Sequence, residues 1–264
     1  MTIPDLRLSK ERLISVLSDG EALKSLAEEM AALLRAPPYA FVLAGLAPSE
    51  KGVLTVRLAR GLTELPPLKP GQSGEDRTKI SFTRVRIDPD RAARPGAVTR
   101  YSRTNQALPL HSDSSYDPDP HELVIFQMVQ ADAEGGESRV ASIDRVLAAL
   151  DSDTKALLAR PNFPFGRGRL PVLWQAGGTS KLRYYRLQID RICEAGEALS
   201  DEEAAALDRL DAVLARPEVA INRKIRSGEI LFLNNTKALH GRTAFAEDSA
   251  RLMYRIRVHA GCLA

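Results

Sequence analysis

After Thr78 the apolar residues stop recurring at helical spacing and begin to alternate, in short runs separated by glycine and proline. Residues 80–87 alternate with period two, as a half-buried strand should. Residues 123–129 are almost continuously apolar and read as a central strand. Further strands are expected over 138–142, 183–189, 220–225, 230–233 and 252–258, with Gly228 turning the chain between two of them. Helices are expected over 10–34, with a break near Asp19-Gly20, and over 48–62, 143–160 and 202–214. Pro37-Pro38 ends the first helix and a short buried strand, 39–43, follows it. Short antiparallel strands with Gly-bearing turns, and helices before and between them, suggest a mostly β, α+β chain. Its form would be a jelly-roll (cupin-like) barrel with an N-terminal helical segment. We expect one domain over 1–264, with a helical flank to about residue 77 and the β core from about 78. Residues 66–76, rich in proline, glycine and charge, read as a mobile loop.

The remaining composition narrows the partners. A net charge of +3, spread along the chain, gives no clustered basic face for nucleic acid. An aromatic content of 5% argues against a large stacking surface for bases or sugars. Cys193 and Cys262 are too few for a disulfide framework and read as free thiols in a reducing compartment. No signal-like start and no apolar run of about 18 residues is visible, so a cytoplasmic chain without membrane contact is expected. A homodimer stays open.

The chain has four histidines, at 111, 121, 240 and 259. His111 and Asp113 are two residues apart, so on an extended chain both side chains point to the same face and can reach one metal ion. His240 follows a predicted strand. Two imidazoles and one carboxylate make a facial triad that leaves three positions open on an octahedral iron(II). The His-x-Asp pair alone is weak evidence. Arg251, eleven residues beyond His240, opens a run in which Arg251, Arg255 and Arg257 share one strand face. Such a face is either solvated or a source of guanidinium for a dianion, which needs one fixed bidentate partner.

Four motifs in this order carry a resemblance: His111-Ser112-Asp113, Gly135-Gly136-Glu137-Ser138, Asn235 through His240-Gly241-Arg242, and Arg251 with Arg255. Over residues 108–258 the chain resembles the taurine dioxygenase (TauD/TfdA)/clavaminate synthase-like family. These are iron(II)- and 2-oxoglutarate-dependent oxygenases on a double-stranded β-helix. The resemblance implies that His111, Asp113 and His240 bind iron. It implies that Arg251 and Ser138 hold the distal carboxylate of 2-oxoglutarate, and that Arg255 lies near the co-substrate and meets an anionic group of the substrate. Asn235 is implied as structural support, and Arg242 follows the His-Gly pair as in many members. Asp113 stands where halogenating relatives carry Gly or Ala, which favours oxygen chemistry. The implied reaction consumes O2 and 2-oxoglutarate, releases succinate and CO2, and hydroxylates, desaturates or cyclises an unactivated carbon.

For substrate contacts the polar stretch before the first motif offers Arg103, Asn105 and Gln106, and the loop after it offers Ser115; residues 114–120 could form a lid. With Arg255, and with Arg167 as a further candidate, these point to a small anionic molecule, an amino acid or a natural-product intermediate. His121 and His259 read as loop and structural residues. Residues 166–169 read as a surface loop and 177–180 as a hairpin turn. Two rival readings use the same ligands: a non-catalytic jelly-roll metal or ligand sensor, and a zinc hydrolase with Glu137 as base.

Overall fold

The computed structural model describes residues 2–49, 52–64, 80–87 and 101–263. Two sheets organise them. The larger has six strands in the order β1–β2–β12–β5–β14–β3: β1 (Asp5–Arg7), β2 (Ala40–Ala44), β3 (Ser81–Val85), β5 (Leu123–Gln130), β12 (Ile230–Asn234) and β14 (Leu252–Val258). The smaller has four in the order β11–β6–β13–β4: β4 (Leu108–His111), β6 (Ser138–Ser142), β11 (Ile221–Arg223) and β13 (Ala238–Arg242). Every pairing inside the two sheets is antiparallel except β1 with β2. The chain is therefore a mixed α+β, sheet-rich molecule.

The two faces of β5 sort the core into two halves. On β5, Leu123 and Ile125 face the helices α1 (Lys10–Ser18), α2 (Gly20–Arg35) and α3 (Val53–Glu64), where Leu26, Met30, Leu34, Leu58 and Leu62 are buried. Val124, Phe126 and Met128 point the other way, into a cluster shared with Leu110 and Val140 of the smaller sheet. That cluster runs on to helices α4 (Ile143–Ala149), α5 (Ser152–Leu158) and α7 (Asp201–Leu214). Each fully buried Leu, Ile or Phe stabilises the fold by roughly 1.5–3 kcal/mol relative to exposure. Strand β5 is central, as its unbroken apolar run implied: it pairs with β12 on one side and β14 on the other.

Several elements differ from the sequence reading. The long N-terminal helix is two, because Asp19 turns the chain and its carboxylate caps α2 by accepting from the Glu21 amide at 3.0 Å. Residues 143–160 likewise split, at Leu150-Asp151, where Asp151 accepts from Thr154 N at 2.7 Å and opens α5. The helix expected from residue 48 begins at Val53. Residues 183–189 are not a strand. Tyr185 caps helix α6 (Arg186–Glu194), pinned by Arg186 to Asp190, Asp208 and Asp211 at 2.7–2.9 Å. Before it, Phe163–Pro164 (β7) pairs with Arg169–Leu170 (β8), and Leu173–Ala176 (β9) and Thr179–Leu182 (β10) form the hairpin whose glycine turn was expected. Strands β1 and β2 lie in the segment read as a helical flank yet are bonded into the larger sheet, so flank and β core are interleaved there. The expected loop 66–76 lies outside the described residues. Both cysteines are free. No described helix is long and apolar enough to cross a membrane.

Candidate active site

Antiparallel pairing brings the histidines together. His111 ends β4 and His240 sits in the middle of β13, directly opposite it in register. Their rings are 4.3 Å apart between centroids. Gly241 lets the two strands approach this closely, since a Cβ there would lie 2.7 Å from the Leu108 carbonyl oxygen. Past β4 Ser112 is tied to Tyr184 twice: its amide donates to the Tyr184 carbonyl at 2.8 Å, and its hydroxyl accepts the Tyr184 amide at 3.0 Å. Asp113 lands on the His111 side. Ser114, with φ +57°, then turns the chain away.

The three side chains offer ligand atoms within 4.8 Å of one another, and all three are buried. Asp113 Oδ1 is 3.7 Å from His111 Nε2 and 4.0 Å from His240 Nε2. His111 donates through Nδ1 to the Pro109 carbonyl at 2.9 Å, which leaves Nε2 with a lone pair aimed at the cluster. The other Asp113 oxygen, Oδ2, is buried without a partner, as a coordinating atom would be before its metal arrives. Burial opposes the Asp113 charge, but Arg255, 3.0 Å away, together with His111 and His240, holds the carboxyl well below its usual range. Burial, and then the neighbouring His111, push His240 down to about 3, so its imidazole is neutral and available as a ligand at neutral pH. The donor set suits a divalent transition metal with positions left open.

Asn235 fixes the Asp113 backbone from both sides. Its Oδ1 accepts the Asp113 amide at 2.9 Å, and its Nδ2 donates to the carbonyls of Asp113 and His121 at 2.8 and 2.9 Å. A support role was what the sequence reading gave it.

Two cavities meet at His111 and Arg255. The deeper is lined by Ser138, His240, Arg242, Arg251, Met253 and Phe126, among others. Arg251 is 4% exposed, and no carboxylate among the described residues pairs with it; its guanidinium lies over the Phe245 ring at 5.2 Å and contacts Met253 Sδ at 3.6 Å. Burial pushes it down to about 10, against the opposing charge of Asp132. Arg242 stacks on the same ring at 4.5 Å and donates to the carbonyls of Thr104 and Gln106, so it anchors the loop before β4. The glycine pair before Ser138 is needed where it stands: Gly135 has φ +70°, and a Cβ there would meet the Ala244 carbonyl oxygen at 2.2 Å.

The wider cavity, about 630 Å³, lies on the Asp113 side. Ser115 lines it, as does Arg255. Asn105 and Gln106 line neither cavity: Asn105 donates to the Phe245 carbonyl at 3.4 Å and Gln106 is exposed. Arg103 is likewise not among the lining residues, and from its stretch Ser102 takes that place. Arg167 sits outside, in an ion pair with Asp117 at 3.0 Å. The sequence reading missed Tyr185, Gln188, Arg191 and Ile192, which form the far wall. Their signal was present as helical spacing, since Tyr185, Gln188 and Ile192 fall at i, i+3 and i+7. Glu137 lines neither cavity, so it is not placed to act as the base of a hydrolase. His121 and His259 stack at 4.5 Å, and His259 pairs with Glu122 at 3.1 Å. Asp119, Glu122 and His259 form a second group of ligand-type atoms, in which Glu122 also accepts the Ala260 amide.

A family model for the taurine catabolism dioxygenase TauD, TfdA family matches residues 19–257 of the chain. The chain belongs to this family. The TauD, TfdA match contains every residue of the buried cluster and of the deeper cavity. Among curated proteins, the tyrosine isonitrile desaturase of Pseudomonas aeruginosa is 26% identical over 176 residues, and that of Erwinia amylovora is 25% identical over 181 residues. Each alignment takes in 59% of this chain, and the chain spans about 60% of the length of these relatives. Among solved structures, an asparagine oxygenase in complex with Fe(II), a 3-hydroxyasparagine and succinate superposes with TM-score 0.69 at 19% identity, over 97% of this chain and 93% of that one. The non-heme iron oxygenase OrfP with Fe and alpha-ketoglutaric acid does so with TM-score 0.67 at 13% identity, over 98% and 94%. The TauD, TfdA chain thus shares its fold with these two oxygenases.

Proposed function

We propose that this protein is an iron(II)- and 2-oxoglutarate-dependent oxygenase that oxidises an unactivated carbon of a small anionic or amino-acid-like molecule. The observation that carries the proposal is Arg251. A buried guanidinium with no carboxylate paired to it among the described residues, lining one cavity with Ser138, His111 and His240, fits a site where a dicarboxylate shares the metal. Solved relatives of the same fold hold Fe with alpha-ketoglutaric acid or succinate, which supports it. The paired sheets are read as a double-stranded β-helix in one domain.

His111, Asp113 and His240 would hold the iron, with Arg251 and Ser138 at the far carboxylate of the co-substrate. The bound iron, 2-oxoglutarate and O2 supply the oxidant, with succinate and CO2 as co-products. The chain's own work is positional. Arg255 lines both cavities and neutralises Asp113, so it fixes the carboxylate and faces the substrate at once. Phe126 packs on His240, and Tyr185 on His111, at 5.0 and 4.9 Å, which shields both imidazoles from water. Because the curated relatives carry the name desaturase, removal of a second hydrogen to give an alkene is the second reading of the outcome.

The test is direct. Iron(II) and 2-oxoglutarate added without oxygen should bind together, and admitting oxygen should release succinate. Arg251→Ala should weaken 2-oxoglutarate binding by roughly 2–4 kcal/mol while iron still binds, as expected for a lost buried charge pair. Full 2-oxoglutarate affinity in that variant, or no succinate under any condition, would sink the proposal.

A further inference from the structure

The wider cavity takes Ser114, Ser115 and Tyr116 from the loop that leaves Asp113. Ser114 and Ser115 are buried although they lie outside every strand and helix. Resting on the reading above for what enters this cavity, we infer that Arg183 is a positioning residue that fixes residues 114–118 as a preformed wall. The substrate then meets this side of the site already in place and draws no lid over itself.

Arg183 directly follows β10 and is 3% exposed. Its two terminal nitrogens donate to consecutive carbonyls at the tip of the loop, Asp117 at 2.7 Å and Pro118 at 3.1 Å. A planar fork suits two such acceptors, and its charge strengthens both bonds. The guanidinium is seated over the Trp174 ring at 4.4 Å, so β9 of the same hairpin supplies its seat. The backbone beneath it is held as well. The Arg183 amide donates to the Val172 carbonyl at 2.9 Å, and Tyr184 is tied twice to Ser112.

The base of the loop is held separately. Asn235 grips Asp113 and the His121 carbonyl with its side chain, and its amide donates to the Glu122 carbonyl at 2.8 Å. Within the loop the Asp117 amide donates to the Ser114 carbonyl at 2.9 Å, and Ser115 donates to Gln188 Oε1 at 2.9 Å. From outside, Arg167 pairs with Asp117 at 3.0 Å, but it is exposed and such pairs contribute little. Arg183 therefore carries the tip and Asn235 the base, and mutation can separate the two.

Hydrogen exchange over residues 114–119, read by mass spectrometry, tests the inference. In the free parent protein this segment should be protected, and loading with iron(II) and 2-oxoglutarate without oxygen should change its exchange less than about threefold. A lid would exchange like open chain until it closed. Arg183→Ala should speed exchange of the segment at least about tenfold, leave 2-oxoglutarate affinity within about twofold, and alter the emission of Trp174, the chain's one tryptophan. Millimolar guanidinium should restore both exchange and emission, which a general loss of stability would not allow. Arg183→Lys, which keeps the buried cation, should stay at least about threefold above the parent, because one ammonium does not bridge two carbonyls as a fork does. Arg167→Ala should change exchange less than about fivefold. Open-chain exchange in the parent, protection that appears only on loading, acceleration spread over the whole chain in Arg183→Ala, or full protection in Arg183→Lys overturns the inference. So does a larger effect in Arg167→Ala than in Arg183→Ala. Failure of the parent to bind 2-oxoglutarate would instead overturn the oxygenase reading, with exchange in the free protein still deciding the wall.

Discussion

Asn235 makes three hydrogen bonds, and two of them bracket the peptide of a single metal-ligand residue. Removing it leaves the Asp113 carboxylate chemically intact but free to drift from the position shared with His111 and His240. Groups that orient metal ligands in this way are worth about 10–100-fold in metal affinity. Asn235→Ala should therefore lower iron(II) affinity by that factor, read in a metal titration against a competing chelator, while the folded chain survives. At this scale much of the site was legible. The two-residue spacing of His111 and Asp113 placed both on one face, and the order of the four motifs, not that pair alone, singled out His240 and Arg251, which line the deeper cavity. The substrate wall was less legible. Asn105 and Gln106 are polar and adjacent in sequence to the ligands, yet Gln106 is turned outward and Asn105 is used to hold Phe245. Polarity marks a residue as able to bind. It does not say which way the loop presents it.

Among the elements, the turn into β6 and the β9–β10 hairpin each carry a testable cost. The turn depends on Gly135, whose positive φ and 2.2 Å approach to a backbone oxygen leave no room for a side chain. Gly135→Ala should destabilise the fold by about 2 kcal/mol in chemical denaturation and weaken 2-oxoglutarate binding through the displaced Ser138. In the hairpin, Lys181 is 3% exposed and bonded to Thr236 and the Leu263 carbonyl. Burial, then the charge of Lys237, push its amine down to about 8 from 10.5, with Glu122 opposing. Between about pH 8 and 10.5 the unfolded chain then binds more protons than the native one, so this group's contribution to stability rises with pH across that window. Below it the burden is constant. The Tm of Lys181→Met relative to the parent should accordingly be higher at pH 7 than at pH 10, and an equal difference at both would contradict the assignment. Strand β5 was legible from its unbroken apolar run and β14 from the even steps between its arginines. Helix α6 was not, because Arg183 through Ile189 is too short to separate period two from 3.6, and what decides it is remote: Asp208 and Asp211 of α7 reach Arg186 across the chain.

Across the whole molecule, the proposed ligands and the proposed clamp come from different sheets. His111 and His240 lie on β4 and β13 of the smaller sheet, with Asp113 just past β4, whereas Arg251 precedes β14 of the larger and Arg255 lies within it. A molecule chelated to the metal at one end and paired with Arg251 at the other would tie the two layers together. Iron(II) and 2-oxoglutarate supplied jointly should therefore raise Tm by more than the sum of their separate effects, a coupling measurable by thermal denaturation with each alone and both. Additive shifts would mean that the two do not share a site. The sequence suggested the strands but not which residues they bring face to face, because facing depends on the register and order of strands far apart in the chain. The arrangement also acts as a gauge of length. Packed sheets keep a separation of about 10 Å, so on the proposed reading the span from metal to guanidinium would be set by the two layers. A keto diacid one methylene shorter would then fall short of Arg251, and one longer would have to buckle between the layers.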